Sequence, residues 1–194
     1  TAFVVATAGG HVAKHGNRSV SSSSGSADVL EAAGARISMG AADVARSVEQ
    51  TGVGFMFAPA HHGATRHAAG PRRELGIRTL FNAADGLDEI SIGSTTTVAA
   101  LTDGVIDWFE IDPRDFGFRL QPLSSIVARS ANESLEIINA VFDDCPGPAR
   151  DIVVLNAGAA IHLCGFSSTL AEGFEQAAAL IADGAARDRF RRFI

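Results

Sequence analysis

Lysine is almost missing from this chain: of 16 basic residues, Lys14 is the one lysine and the rest are arginines. Cysteine is as scarce. Cys145 and Cys164 are too few for a disulfide framework and lack metal-site spacing, so they read as ordinary thiols. No unbroken apolar run is long enough to cross a bilayer. Thr1 to Gly10 has neither a basic start nor a small-residue cleavage pattern, so no signal peptide is expected. That opening reads as the inside of a domain, and without an initiator methionine the natural N-terminus is expected to lie elsewhere. Net positive charge is lacking too. The formal charge is −6, which argues against nucleic acid as the main partner. An acidic chain that binds a polyanionic small molecule must do so locally, with a few placed cations, backbone N–H groups and metal ions. What is present is a globular balance, 46% hydrophobic and 20% charged over 194 residues, enough to bury a sizeable core.

Local patterns set the class. Ala2 to Ala8 is small and apolar, fit for a buried helix or strand. Ser26 to Gly34 reads as a helix, with small polar residues at its cap and glycine at its stop. Ala41 to Gln50 is a second helix, ended near Gly52, and Val53 to Phe57 has the length of a strand. Pro59 is expected to turn the chain toward His61 and His62. Ala64 to Leu75 carries a helical pattern that Gly70-Pro71 interrupts. Ile77 to Phe81 is strand-like. Thr95 to Ala100 and Gly104 to Ile111 read as strands around Thr102-Asp103-Gly104, and Asp112 to Gly117 as a turn. The last third is helical: Asn132 to Phe142, Ala149 to Leu163 behind Pro148, Thr169 to Ala185, and Arg187 to Phe193. Strands mixed with covering helices predict an α/β class, and no internal repeat is visible.

The densest chemistry lies in Lys14-His15-Gly16-Asn17-Arg18-Ser19-Val20-Ser21-Ser22, with Ser26 beyond it. Lys14 offers a mobile point charge. Gly16 lets backbone approach a ligand closely. Ser21, Ser22 and Ser26 offer hydroxyls, and a polar loop feeding a helix start is an anion-binding arrangement. The bland alternative is a polar surface loop or, from Ser21 to Ser26, a flexible linker. His61, His62 and His67 raise the thought of zinc, but His62 and His67 are five apart and share no helix face, so no zinc site is expected.

Four stretches, in order, resemble the anthranilate phosphoribosyltransferase family. They are Lys14 to Glu31; Phe57-Ala58-Pro59-Ala60-His61-His62 with Arg66-His67 and Arg72 to Thr79; Asp85-Gly86-Leu87-Asp88-Glu89; and Gly147-Pro148-Ala149-Arg150-Asp151-Ile152-Val153 running into Asn156-Ala157. The resemblance implies a central mixed β-sheet flanked by helices, the catalytic domain of the nucleoside phosphorylase/phosphoribosyltransferase type. It implies phosphoribosyl pyrophosphate and anthranilate as substrates, Mg2+ as cofactor, a cytoplasmic homodimer, and no membrane or nucleic-acid partner. Lys14, His15, Gly16, Asn17, Arg18, Ser19, Val20, Ser21, Ser22 and Ser26 would bind the sugar donor. Asn17, His15 and Arg72 would bind anthranilate, Arg72 by a fork on the carboxylate. Asp88 and Glu89 would hold magnesium, a hard cation that takes few protein carboxylates. No residue is expected to act as nucleophile or strong general base. Taken without the family, Arg72-Arg73 is a surface pair and Asp88-Glu89 a turn before a strand.

Residues 1–194 read as one α/β domain with pieces of the family pattern absent. Those pieces are the N-terminal helical domain that would carry the dimer contacts, the Gly-Thr-Gly-Gly-Asp loop with its following Asn-x-Ser-Thr turn, and a segment between residues 82 and 85. Three rival readings rank lower: a nucleic-acid-binding relative of the same fold, an inactive fragment, and a pyrimidine nucleoside phosphorylase.

Overall fold

A computed structural model describes residues 1–19, 24–65 and 79–194, with backbone alone for 62–65. The chain forms two compact units, residues 1–62 with 128–194 and residues 63–127.

In the first unit, α1 (Ala2–Thr7) buries Val4, Val5 and Ala6. Strand β1 (Val12–Gly16) pairs in parallel with β2 (Val53–Phe57), in a register running from Val12 opposite Val53 to Gly16 opposite Phe57. A parallel pair needs a crossover. Here α2 (Ser26–Ala32) and α3 (Ala41–Thr51) supply it. Helix α3 ends because Gly52 takes the left-handed conformation, φ 75°, and donates its N–H to the Val48 carbonyl. Ala27, Ile37 and Phe55 form a small core between this crossover and β2, joined by Leu30, Phe57 and Phe193. Helix α4 (Ala58–Thr65) leads out of the unit.

Four helices complete the first unit: α5 (Ala131–Phe142), α6 (Pro148–Leu163), α7 (Leu170–Ala182) and α8 (Ala185–Phe193). Their starts are fixed by side-chain caps. The Ser130 hydroxyl accepts from the Glu133 N–H and the Thr169 hydroxyl from the Glu172 N–H, both at 3.1 Å. Helices α6 and α7 touch at glycines: a Cβ on Gly158 would lie 2.6 Å from the Phe174 Cα. Val154, Leu155, Ile161, Phe174 and Ile181 are enclosed around that crossing. The rings of Phe3, Phe142 and Phe190 meet at 4.9–6.3 Å and clamp α1 onto the helical layer.

In the second unit, β3 (Thr79–Ala83), β4 (Thr96–Thr102) and β5 (Val105–Ile111) form an antiparallel sheet in that order. The β4–β5 hairpin turns on Asp103 (φ 51°) and Gly104 (φ 81°), the two positive values that a tight primed turn requires.

The α/β class stands, with the strands among the described residues in two sheets rather than one. Two local expectations change. Val12–Gly16 is a strand rather than the start of a loop, because parallel pairing with β2 overrides its weak strand composition. Pro59 starts a helix instead of turning the chain, since proline is tolerated in a first turn. Of the strand expected at Ile77 to Phe81, the first two positions lie outside the described residues and the rest belongs to β3, Thr79–Ala83; the turn expected at Asp112 to Gly117 is present as a single 3₁₀ turn, Pro113–Phe116. The helix expected over Ala64 to Leu75 falls mostly outside the described residues.

Candidate functional site

The basic segment begins on β1, where Lys14 and His15 are exposed and Gly16 is half-buried. Gly16 is a packing glycine. A Cβ there would run into the Ser26 hydroxyl and come within 2.7 Å of the Phe55 ring. The close approach that glycine permits at this position is therefore between β1, α2 and β2.

Beyond β1, one carboxylate organises the loop. Asp28 Oδ2 accepts from the Ser19 N–H at 3.0 Å and from the Gly25 N–H at 2.8 Å. The Asn17 side chain accepts from the Arg18 N–H at 2.8 Å, and the Asn17 carbonyl accepts from the Ala27 N–H at 3.2 Å. Backbone of residues 17–19 passes so close over Gly25 that a Cβ there would lie 2.6 Å from the Ser19 nitrogen. These contacts bend the segment back onto the start of α2 and hold Asn17, Ser19 and Ser26 together.

Arg18 has a structural job in this arrangement. Its guanidinium donates to both Glu31 oxygens, at 2.6 and 2.9 Å, and to Asp28 at 3.2 Å, and it lies 5.6 Å from the centre of the Phe57 ring. The Arg18 hydrogen bond holds the Glu31 carboxyl below its ordinary range. Asp28 is lowered chiefly by the backbone donor of Ser19, then that of Gly25. The guanidinium is held even more firmly protonated than usual by Glu31. Val20, Ser21, Ser22 and Arg72, all expected in the site, lie outside the described residues.

The acidic pair sits in the loop between β3 and β4, in the other unit. Asp88 and Glu89 are exposed, directly before Ile90, Ser91 and Ile92, which are fully enclosed. Ser91 is the anchor. Its hydroxyl donates to Asp85 at 2.5 Å and accepts from the Gly93 N–H at 2.9 Å, while its own N–H donates to the buried Thr96 hydroxyl at 3.1 Å. The Asp85 N–H donates to the Ser94 hydroxyl and the Ala83 N–H to the Leu87 carbonyl. Both ends of the loop are thus tied down while two adjacent carboxylates stay open to water. This donor set suits a hard cation that keeps most of its waters. Among the described residues no cluster of three or more His, Cys, Asp or Glu side chains could hold a metal. His61 accounts for itself structurally, its ring 3.2 Å from the Met39 carbonyl. Both cysteines are free and exposed.

Reasoning from the sequence missed Asp28, Asp85 and Ser91 as organising residues. The one available signal was position: Asp28 stands three residues after Gly25 at a helix start, the spacing at which an acid reaches back to the cap N–H.

Comparison with known proteins agrees along the whole chain. The pattern described as the glycosyl transferase family a/b domain matches residues 1–84 and 83–187. An anthranilate phosphoribosyltransferase of Thioalkalivibrio sulfidiphilus is 47% identical over 237 positions, covering 100% of this chain and 70% of its own length. One from Methylococcus capsulatus is 46% identical, covering 96% and 67%. Among solved structures, the anthranilate phosphoribosyltransferase of Thermus thermophilus superposes with a TM-score of 0.84 at 28% identity, over 99% of this chain and 70% of that one. The Saccharomyces cerevisiae enzyme, in complex with PRPP and Mg, superposes at 0.80 with 21% identity, a likeness of fold.

Proposed function

The chain belongs to the anthranilate phosphoribosyltransferase family, and on that premise we propose how its residues share the reaction. The activity is transfer of the phosphoribosyl group from phosphoribosyl pyrophosphate to anthranilate. The products are N-(5-phosphoribosyl)anthranilate and pyrophosphate, and the step belongs to tryptophan biosynthesis. The observation that carries the assignment is 47% identity to a named relative across the whole chain. The division of roles is our own reading of the residues.

The step is a displacement at the anomeric carbon, through a transition state with oxocarbenium character. The arriving aromatic amine is already neutral, so nothing on the chain has to deprotonate it beforehand. Catalysis rests on holding the two substrates in line and on countering charge at the departing pyrophosphate. Lys14 supplies a cation from β1. The loop from His15 to Ser19, with Val20, Ser21, Ser22 and Ser26, offers backbone N–H groups and hydroxyls to the donor. Asn17 and His15 stand at the anthranilate side, and Arg72 pairs its guanidinium with the anthranilate carboxylate. Arg18 serves by position: paired with Glu31 and Asp28, it keeps the loop folded on α2. Asp88 and Glu89 would hold Mg2+, which when bound neutralises pyrophosphate charge.

The remaining parts of the reading concern assembly and place. We assign a homodimer and a cytoplasmic location, where a pyrophosphorylated sugar that cannot cross a bilayer unaided is available. Among the described residues, no helix is long and apolar enough to span a membrane. Sedimentation velocity tests the dimer.

A second reading is favoured by one observation. The aligned span holds 237 positions against 194 residues here, so about 43 positions of the relative have no counterpart. On that reading this polypeptide is inactive unless the missing positions are restored. The deciding assay follows loss of anthranilate fluorescence with phosphoribosyl pyrophosphate and Mg2+ present. It is run on this chain and on one carrying the relative's extra positions. Activity that Arg72→Ala weakens through KM for anthranilate, and that Asp88→Asn with Glu89→Gln weakens through its Mg2+ dependence, supports the roles. Variants as active as the parent would remove those residues from the site.

A further inference from the structure

The loop between β1 and α2 is tied at its first limb by Asp28, which accepts from the Ser19 and Gly25 N–H groups. Its returning limb, Ser24-Gly25-Ser26, has a further tether outside the roles proposed above. The Ser24 and Ser134 hydroxyls are hydrogen-bonded to each other at 3.2 Å, across 110 positions of sequence. Ser134 stands near the start of α5, and α2 packs against that helix.

Two observations set this contact apart from an incidental one. The first is the place of Ser134 on its helix. Spacings of four and seven residues put it on the face of α5 that carries Ile138 and Val141, and Val141 is buried. A small polar residue thus interrupts an inward apolar stripe at the point where a loop hydroxyl reaches it. The second is how firmly α5 is held. At its start the Ser130 hydroxyl accepts from the Glu133 N–H, and the Glu133 carboxylate accepts from the Arg129 N–H at 2.7 Å. Toward its end Arg187 of α8 donates to the Asn139 carbonyl at 3.1 Å and pairs with Asp143. A limb bonded to such a helix takes its position from the helical layer.

We propose that Ser134 is a positioning residue for the sugar donor: through Ser24 it fixes the returning limb of the loop, and with it Ser26, against α2. This rests on the donor role proposed for the segment from Lys14 to Ser26. Ser24, Ser26 and Ser134 are each half-buried. Water can therefore replace a lost partner, and the bond adds little to global stability. Its contribution is geometric, because a group already held in place gives up less freedom when the ligand arrives.

The test measures binding of phosphoribosyl pyrophosphate with Mg2+ by calorimetry. It uses the chain as it stands and the chain carrying the relative's extra positions. Ser134→Ala should weaken binding about 3- to 10-fold, the worth of one ordinary hydrogen bond. Ser134→Thr keeps the hydroxyl and should recover most of that loss. Ser24→Ala removes the same bond from the loop side and should weaken binding as much, with the double variant no weaker than either single one. Urea midpoints should move little. In hydrogen exchange the Gly25 and Ala27 amides should open severalfold faster in Ser134→Ala, while the interior of α5 stays protected. Affinity in Ser134→Ala equal to the parent's would overturn the proposal, and so would additive losses in the double variant. A loss of affinity matched by a fall in the urea midpoint would also overturn it, making Ser134 a stabilising residue only. Lys14→Ala is the control on the donor role. If it weakens binding and Ser134→Ala does not, the positioning role alone fails. If neither parent chain binds the donor, the donor role of the loop fails and the positioning role with it.

Discussion

The helical layer of the first unit and the sheet of the second use large apolar residues in opposite ways. Around the α6–α7 crossing, Leu155, Phe174 and Ile181 are enclosed and two glycines let the helix backbones touch. On β5, Ile106, Trp108 and Phe109 stand in water. Composition does not separate them, because both regions are rich in apolar residues. The difference lies in partners. Each helix has a neighbour packed along its apolar stripe, whereas β5 is exposed on both of its faces from Val105 to Glu110. A residue's hydrophobicity thus says that it seeks cover, and only the surrounding architecture says whether cover is found.

The sharpest way to break the comparison is in the helical layer. Phe174→Ala removes a ring that fills the space beside Gly158 and should cost about 3–5 kcal/mol, a large part of a domain's usual stability. Urea unfolding followed by circular dichroism measures it, and a loss below about 1 kcal/mol would mean that the crossing is not tightly packed.

A smaller effect is expected at the acidic loop. Ser91→Ala leaves the Gly93 N–H and the Asp85 carboxylate without the hydroxyl that joins them, at a cost of about 1–3 kcal/mol. On the role proposed for Asp88 and Glu89, the same change should weaken Mg2+ binding in a calorimetric titration. Ser91→Thr should recover more of it than Ser91→Ala keeps. Unchanged affinity in both variants would detach the anchor from the carboxylate pair.

Much of the fold was legible, and the reasons are local. The caps at Ser130 and Thr169, the stop at Gly52 and the Asp103-Gly104 turn are short-range devices, so their residues mark them directly. Strand β1 was not legible, because Val12-Ala13-Lys14-His15-Gly16 becomes a strand only through pairing with residues about forty positions away. The pairing of Arg18 was not legible for a related reason. In a basic, serine-rich stretch it reads as a phosphate contact, but its guanidinium is directed to Glu31 by a fold that brings α2 alongside the loop. The motifs at Lys14 and at Asp88-Glu89 were legible as motifs. The carboxylate and hydroxyl that hold each in shape, Asp28 and Ser91, were not, since neither carries a distinctive residue type.

The Arg18 cluster is exposed, so its effect should be smaller and visible mainly in pH dependence. The folded pKa values of Asp28 and Glu31 are depressed. Their contribution is therefore present above the ordinary carboxylate range and is lost as pH falls through the lowered folded values. Hydrogen exchange at the Ser19 and Gly25 amides, followed downward from neutral pH, should show the loop opening in that acidic window. Arg18→Ala should raise the Glu31 titration toward its ordinary value more than that of Asp28, because Asp28 is held mainly by backbone donors. Equal movement of both would show that the guanidinium, and not the Ser19 and Gly25 N–H groups, organises the loop.

The smallest effect is expected on the exposed strand β5. Ile106→Thr places a β-branched residue of similar shape on a surface already open to water, so stability should change by no more than about 0.5 kcal/mol. Set beside Phe174→Ala, that near-silence, read from urea midpoints at constant slope, measures how little the apolar residues of β5 are used in this chain. A loss above about 1 kcal/mol would mean that Ile106 is covered in solution.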